Sequence, residues 1–192
     1  MFVTALMVLR LPRRLFLVAA PANAFDNAIP AASKFADRPK RAGPAPRDLG
    51  LRDRGLDDDD LKLCGGAPNC FCTTPADVAP EHYIAPWRPP STLTKAQAWQ
   101  SVRDAVARYQ PGQANIYGGG FRIVQDTDAY LYAQFESLKN GYVDDVEFAF
   151  VGDELKVRSS SRVGYLDLGG NAKRLNAIAA SLRNSKWDAP DI

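Results

Sequence analysis

Residues 142–174 decide the fold, and they read YVDDVEFAFVGDELKVRSSSRVGYLDLGGNAKR. Over residues 143–151 apolar and polar side chains alternate, which is typical of a β-strand with one buried face. Gly152-Asp153 supplies a two-residue turn, and residues 154–160 form the returning strand. The stretch therefore predicts a β-hairpin that continues through a loop rich in serine and arginine into a helix, which Asn171 would cap.

The turn also fixes the register of the hairpin. Phe148 then faces Val157 on one side, while Glu147 faces Arg158 on the other, where opposite charges stabilise the pair. Asp144 falls on the apolar side. A carboxylate there needs a partner, because burying it alone is strongly unfavourable. The nearest candidates in the sequence are Ser159, Ser161 and Arg162.

Two helices and two further strands surround the hairpin. Thr94 and Gln97 form a capping-box pattern at the start of a helix that Pro111-Gly112 ends. Strands are predicted over residues 121–125 and 129–137, and a last helix follows the hairpin. The apolar stripes of the helices are Trp99, Val102, Val106 and Tyr109, then Leu175, Ile178, Ala179 and Leu182. The order αββββα predicts an α+β domain of two layers, a four-stranded antiparallel meander with both helices on one face.

If both helices cover one face of the sheet, the opposite face stays open. Its centre is predicted to be a candidate interaction face made of Tyr130, Tyr132, Gln134 and Glu136. The same face would also carry Arg122, Asp145, Glu147 and Arg158. Tyrosines among paired charges are typical of protein-binding surfaces and also of ordinary solvated sheets, and the sequence leaves both interpretations open.

The loop over residues 159–170 concentrates polar side chains at the start of the last helix. With Asp144, the candidate cluster is Ser159, Ser161, Arg162, Tyr165, Asp167, Asn171 and Arg174. Two arginines at a helix N-terminus are suited to binding an anion. The favoured alternative pairs Arg162 with Asp144 and Asp167 with Arg174, so that the cluster fixes the helix to the sheet. No catalytic set, metal site or cofactor is predicted.

The chain divides into three parts. Residues 1–24 end in Ala22-Asn23-Ala24 and are typical of a cleavable export segment. Residues 25–63 are rich in proline, glycine and charge, and predict an extended or disordered arm whose apolar residues are too widely spaced for self-packing. Residues 64–192 form the folded domain. Removing Arg10, Arg13 and Arg14 with the export segment changes the formal charge from +2 to −1, which argues against binding to nucleic acid or anionic lipid.

The domain resembles the uncharacterised family DUF1499 over residues 64–182. The matching pieces are PNC at 68–70, YLYAQF at 130–135, VDDVEF at 143–148, RSSSRVGY at 158–165, LDLG at 166–169 and NAKR at 171–174. The resemblance implies a fold unit but no activity. Because Cys64 and Cys70 flank the turn Pro68-Asn69, which resembles the family, we expect them to form a disulfide, leaving Cys72 as a thiol. A zinc site built from the three cysteines and His82 is the alternative.

The arm, AFDNAIPAASKFADRPKRAGPAPRDLGL at residues 24–51, resembles the start of mature thylakoid-lumen proteins of photosynthetic eukaryotes. That resemblance implies a location in the thylakoid lumen, with the periplasm or another export compartment as the alternative. We therefore expect a non-catalytic accessory protein that binds a protein partner on the thylakoid membrane through its arm and sheet face, without a transmembrane span. A module that binds a small anion at Arg162 and Arg174 is the first alternative, and an enzyme of unknown class is the second.

Overall fold

The fold is described from a computed structural model, in which residues 25, 27–52, 59–75, 80–113 and 116–192 are placed. The predicted export segment at residues 1–24 lies outside the described residues. In chain order the elements are β1 (Cys70–Cys72), α1 (Lys95–Ala107), β2 (Phe121–Asp126), β3 (Tyr130–Glu136), β4 (Val143–Val151), β5 (Glu154–Ser161) and α2 (Gly170–Arg183). Short 3-10 helices span Pro30–Phe35 and Pro80–His82.

The strands form one antiparallel sheet in the order β1-β5-β4-β3-β2. The α+β class is confirmed, but the prediction of a four-stranded meander was wrong by one strand. The fifth strand, β1, comes from the cysteine-rich loop and pairs with β5, with Cys70 opposite Ser160. Three residues, Cys-Phe-Cys, are too few to show a strand period, so sequence patterning could not identify β1.

The central hairpin has the predicted register. Phe148 pairs with Val157, Glu147 with Arg158, and Asp144 with Ser161. Eight of the nine residues of β4 are buried, so that both faces of this strand are covered. A half-exposed sheet would bury alternate residues only, and the uninterrupted burial therefore means that something lies on each side.

The helices form the layer on one side. Trp99 and Val102 from α1, and Ile178 and Leu182 from α2, pack into the same hydrophobic core as Phe148. The predicted capping box of α1 is present, with the Thr94 hydroxyl accepting from the Gln97 backbone N–H and the Gln97 side chain accepting from the Thr94 N–H. The structure describes no helix that is long and apolar enough to cross a membrane in the placed residues.

The start of α2 differs from the prediction. Gly169 occupies the N-cap position with φ of 74°. Asn171 is the second residue of the helix and is buried. The capping carboxylate comes from Asp167, which accepts hydrogen bonds from the backbone N–H groups of Gly169 (3.0 Å) and Asn171 (2.7 Å). Asn171 was therefore wrongly predicted as the cap, because a carboxylate earlier in the loop satisfies the free N–H groups.

The arm covers the other side of the sheet. Arg41 N–H donates to the Asn140 carbonyl at 2.8 Å, and Gly50 N–H donates to Glu147 Oε1 at 2.7 Å. Lys40 forms an ion pair of 2.9 Å with Glu136. The prediction of an open sheet face and an arm without self-packing was wrong, because these polar contacts hold the arm and Phe25 at its start is buried beside Arg122.

Candidate functional site

Two buried ion pairs lie on opposite sides of β4 where this strand begins. Asp144 and Asp145 are successive residues, so their side chains point to opposite faces of the sheet. Asp144 faces α2 and the hydrophobic core, while Asp145 faces the arm. Each carboxylate receives an arginine from outside the strand, Arg174 from α2 and Arg162 from the loop after β5.

The pair on the helix side is completely buried. Arg174 Nη2 donates to Asp144 Oδ2 at 2.7 Å, and its guanidinium lies over the rings of Tyr117 (4.3 Å) and Phe135 (4.5 Å). Ser159 also accepts a hydrogen bond from this guanidinium, at 3.2 Å. Burial by itself lowers the pKa of Arg174. The nearby Asp144 charge, together with Tyr117 and Tyr109, outweighs burial, so the net pKa is raised. The arginine therefore stays charged inside the core.

The pair on the arm side is bidentate. Arg162 donates from Nε to Asp145 Oδ2 and from Nη2 to Asp145 Oδ1, both at 2.8 Å. Tyr132 donates its hydroxyl to the same carboxylate, and Gln134 donates to the Tyr132 hydroxyl at 2.6 Å. The hydrogen bond to Asp145 raises the pKa of Arg162, and burial together with Asp145 raises the pKa of Tyr132 to about 12. Tyr132 and Arg162 therefore both keep their protons at neutral pH.

These contacts correct the predicted pairing. We expected Arg162 with Asp144 and Arg174 with Asp167, whereas the partners are Asp145 and Asp144. Arg162 leaves β5 toward the arm side, where it binds Asp145. Asp167 is used as the cap of α2, so the expected pair with Arg174 does not form. Arg174 with Asp144 joins α2 to β4, whereas Arg162 with Asp145 joins the loop after β5 to β4.

Most other members of the candidate cluster are structural. The Asn171 side chain donates to Ser161 Oγ (3.0 Å), to the Asn69 carbonyl (3.0 Å) and to Asp167 Oδ2 (2.8 Å), which ties α2 to β5 and to the loop before β1. Ser159 donates its hydroxyl to the same side chain. Tyr165 lies apart from the cluster and points into solvent.

The two arginines do not form a shared anion site. Their guanidinium groups lie on opposite faces of the sheet, and each already binds a carboxylate at 2.7–2.8 Å. Arg174 is also sealed from solvent. An incoming anion would have to displace a buried aspartate, which costs several kcal/mol, on the order of 3–5.

A second polar group lies under the arm. Glu147 is fully buried and pairs with Arg158 at 3.3 Å across the hairpin, as the register predicts. Its other oxygen accepts from the Tyr130 hydroxyl (2.9 Å) and from Gly50 N–H. The predicted interaction residues Tyr132, Gln134 and Glu136 are buried here as well, so of that face only Tyr130 stays partly exposed.

The cysteine loop has the expected disulfide. Cys64 and Cys70 are bonded, with their Cα atoms 5.7 Å apart. Cys72 is a buried free thiol that accepts a hydrogen bond from the Cys64 backbone N–H at 3.4 Å. The bonded sulfurs are unavailable as ligands, which removes the zinc alternative that used all three cysteines with His82. In the placed part of the chain, no group of three His, Cys, Asp or Glu side chains is arranged to hold a metal ion.

The sheet and the arm border a cleft that sequence analysis missed. It has a volume of about 520 Å³ and lies along the outer part of the sheet, with largely apolar walls. Its lining residues are Leu49, Gly50, Leu51, Val124, Gln125, Tyr130 and Tyr132. Alternation in β3 placed the two tyrosines on this face, but no pattern in the arm placed Leu49 and Leu51 opposite them.

The strand beside this cleft is exposed. β2 is the edge of the sheet, and only its first residue, Phe121, is buried. A bulge lies between Ile123 and Gln125, and Val124 at the bulge is 48% exposed. A bulge turns a side chain outward and interrupts the regular edge. The cleft and the β2 edge together form an accessible, partly apolar surface.

Comparison with known proteins identifies the family. No curated protein and no solved structure matches the sequence. The family model described as a protein of unknown function, DUF1499, matches residues 60–182, well over half of the 192 residues. The match includes β1, both helices and the two buried ion pairs. The chain therefore belongs to the DUF1499 family.

Proposed function

We propose that this protein is a non-catalytic accessory protein of the thylakoid lumen, which binds a protein of a photosynthetic membrane complex. The observation that carries the proposal is the exposed edge of β2 beside the apolar cleft. The partner would contact this edge surface, defined by Val124, Gln125 and Tyr130 together with the arm residues Leu49 and Leu51.

The chemistry of the edge surface suits a protein partner. An edge strand offers backbone groups to which an extended segment of another chain can add. The cleft beside it supplies aromatic walls from Tyr130 and Tyr132, and aromatic side chains contribute strongly to protein interfaces. The hydroxyls of both tyrosines already bind Glu147 and Asp145, so their rings are held in place before a partner arrives.

The polar cluster supports a non-catalytic role. Asp144, Asp145 and Glu147 each bind an arginine, and Asp167 caps a helix. A general base or nucleophile must reach a substrate, whereas these carboxylates are occupied and covered. The anion-binding alternative is weaker for the same reason, since both candidate arginines are neutralised on separate faces.

The proposed location depends on two features. The sequence of the arm resembles mature thylakoid-lumen proteins, and the disulfide Cys64–Cys70 is of the kind that persists in oxidising compartments. A lumenal protein meets the lumen-facing domains of membrane complexes, which are the proposed partners. A periplasmic or other exported location is the alternative.

Site-specific photo-crosslinking on isolated thylakoid membranes tests the proposal. A photoreactive amino acid at position 124 should give one adduct of defined mass, since this position lies at the centre of the edge surface. The matched control carries the same amino acid at position 153, in the exposed turn between β4 and β5. An excess of unlabelled wild-type protein should compete for the adduct, while the variant Val124→Asp should not. Equal adducts from both positions, or none from position 124, would contradict the proposal.

A further inference from the structure

The loop before α2 exposes three large apolar side chains in four residues. Tyr165 is 65% exposed, Leu166 71% and Leu168 86%, the highest values among the large hydrophobic residues of the described chain. We call residues 165–168 the apolar tip. Single exposed leucines are common on protein surfaces, but a cluster at one protruding loop marks a contact with another apolar phase.

The apolar tip is held in a fixed shape. Asp167 is the only polar residue in it, and its carboxylate is occupied by the backbone N–H groups of Gly169 and Asn171. Its carbonyl accepts from Gly170 N–H at 3.0 Å. At the base of the loop, Asn69 donates its side-chain amide to the Gly164 carbonyl at 2.9 Å. The polar groups of the loop therefore point inward, and the apolar groups remain outside.

Leu168 shows that folding alone does not account for this arrangement. It has φ of 55°, in the left-handed region where a side chain costs about 1 kcal/mol relative to glycine. Its side chain gains nothing from burial, because it lies almost entirely in solvent. A leucine that strains the backbone and stays exposed in the described part of the chain points to a contact outside the fold.

Three exposed cations lie at the end of the sheet that carries the apolar tip. Lys173 donates its ammonium group to the Leu168 carbonyl at 3.2 Å and is exposed. The loop after β5 and the turn between β3 and β4 lie at the same end of the sheet, and that turn carries the exposed Lys139. The arm brings Arg41 to this end, since its N–H binds Asn140 in the turn. We call Arg41, Lys139 and Lys173 the basic rim; it is a local group of positive charges in a chain whose formal net charge is only +2.

We propose that the apolar tip inserts into the interfacial layer of an anionic lipid bilayer, with the basic rim on the lipid headgroups. A bilayer accepts a convex apolar loop without a complementary cavity, and leucine and tyrosine suit the boundary between acyl chains and headgroups. Lysine and arginine near such a surface attract anionic headgroups. This inference is independent of the proposed protein contact, because the tip follows β5 whereas the edge surface lies at β2, on the other side of the sheet.

Depth-dependent fluorescence quenching tests the insertion at the tip itself. In the full-length chain, Leu166→Trp places a new tryptophan in the tip, whereas Trp87, Trp99 and Trp187 are buried in the core. Vesicles of phosphatidylcholine and phosphatidylglycerol, brominated on their acyl chains, should quench the new tryptophan. The matched control Val124→Trp, at the edge surface, should not be quenched. Both chains carry the same N-terminal residues, so any contribution of these residues is common to both.

Two further variants separate the apolar and charged parts. Leu168→Gly in the Leu166→Trp background should weaken vesicle binding about tenfold, because it removes one inserted side chain. This variant relieves the left-handed strain, so a melting temperature equal to or above that of its parent shows that the fold is retained. Lys173→Gln should weaken binding about fivefold, and vesicles of phosphatidylcholine alone should bind less than the mixture.

Several results would overturn the inference. These are absence of quenching at position 166, equal quenching at positions 166 and 124, and unchanged vesicle binding of Leu168→Gly. Equal binding to vesicles with and without phosphatidylglycerol would overturn the role of the basic rim. If the tip binds membranes only when membrane proteins are present, it contacts a site on a membrane protein and the lipid proposal is wrong.

Discussion

The buried ion pair of Asp144 and Arg174 limits which substitutions the fold tolerates at these two positions. Both side chains are sealed between α2 and the sheet, and the guanidinium is also stacked on two aromatic rings. Their attraction is offset by the desolvation of two charges, so the pair adds little net stability. What the pair does provide is a strong penalty for losing one partner, because the other charge is then buried alone.

We therefore predict that Asp144→Leu or Arg174→Met lowers the free energy of unfolding by about 3–5 kcal/mol. The double variant Asp144→Leu/Arg174→Met should lose clearly less than the sum of the two single changes. Urea unfolding of the four proteins measures this coupling. The control is Glu154→Gln, whose pair with Arg88 is exposed, and which should cost less than about 1 kcal/mol. Additive effects of the two core changes would contradict the prediction.

Glu136 predicts a dependence of stability on pH. Burial raises its pKa above the usual value of 4.5, and the contact with Lys40 only partly opposes this. A raised pKa in the folded state means that the group stabilises the fold below pH 4.5, and that this contribution is lost as the pH rises through the higher folded value. The unfolding free energy of Glu136→Gln, relative to wild type, should therefore increase as the pH rises from about 4 toward neutrality.

Glu154 supplies a control of opposite sign. Burial alone would raise its pKa, but hydrogen bonds from Lys156 and Arg88 outweigh burial and lower it. Its stabilising effect is therefore present above pH 4.5 and is lost as the pH falls. Relative to wild type, Glu154→Gln should become less stable as the pH rises. If urea unfolding gives both variants the same trend with pH, the assignment to Glu136 is wrong.

At the scale of elements, alternation and helical spacing were sufficient for most of the domain. The hairpin register, the capping box of α1 and both apolar stripes followed from local periods that burial makes obligatory. β1 and the arm did not. A three-residue strand has no measurable period, and the arm binds through Gly50 N–H, Arg41 N–H and Lys40, which are contacts that any loop can offer.

The residues of the candidate site were predicted, but their pairing was not. The residues of the cluster were identified because charges next to an apolar hairpin need partners. Which arginine binds which aspartate depends on the side of the sheet to which each chain segment returns. That information lies in the three-dimensional path of the loop after β5, and spacing along the sequence does not contain it.

The arm provides a prediction at this scale. Because it is bound along the sheet, trypsin should cleave after Lys40 and Arg41 slowly in the isolated protein. Gly43→Ala should accelerate this cleavage, since Gly43 has φ of 75° and an added Cβ would lie 2.5 Å from Val163. Mass spectrometry of the time course measures the rates. Gly66→Ala is the control, because it meets no atom within 4 Å and should leave the rate unchanged. Rapid cleavage of the wild type would show that the arm is not bound.

Considered as a whole, the molecule covers the central strands of its sheet on both sides. Two helices cover one face and the arm covers the other, while the edge surface at β2 and the apolar tip after β5 stay accessible. These lie at different sides of the sheet order β1-β5-β4-β3-β2. A protein contact and a membrane contact are therefore geometrically compatible in one molecule.

The disulfide contributes to the stability of this whole. Closing the short loop between Cys64 and Cys70 restricts the unfolded chain, and we predict that Cys64→Ser/Cys70→Ser lowers the free energy of unfolding by about 2 kcal/mol. Thermal unfolding in the absence of reductant measures the change. In the native wild type, Cys72 should react with a thiol reagent only at the rate of unfolding, because it is buried. Fast labelling of Cys72 in the native protein would show that the cysteine loop opens independently.

The way the arm and the C-terminal residues complete the fold has a practical consequence for recombinant work. A fragment cut at the limits of the family match, residues 60–182, would omit Lys40 and Gly50. These two residues bind the buried carboxylates of Glu136 and Glu147. It would also omit Trp187 and Ala189, which fill the hydrophobic interior. Expression of this fragment should give aggregation-prone, poorly soluble protein. A chain from Phe25 to Ile192 keeps both the arm contacts and the C-terminal core residues.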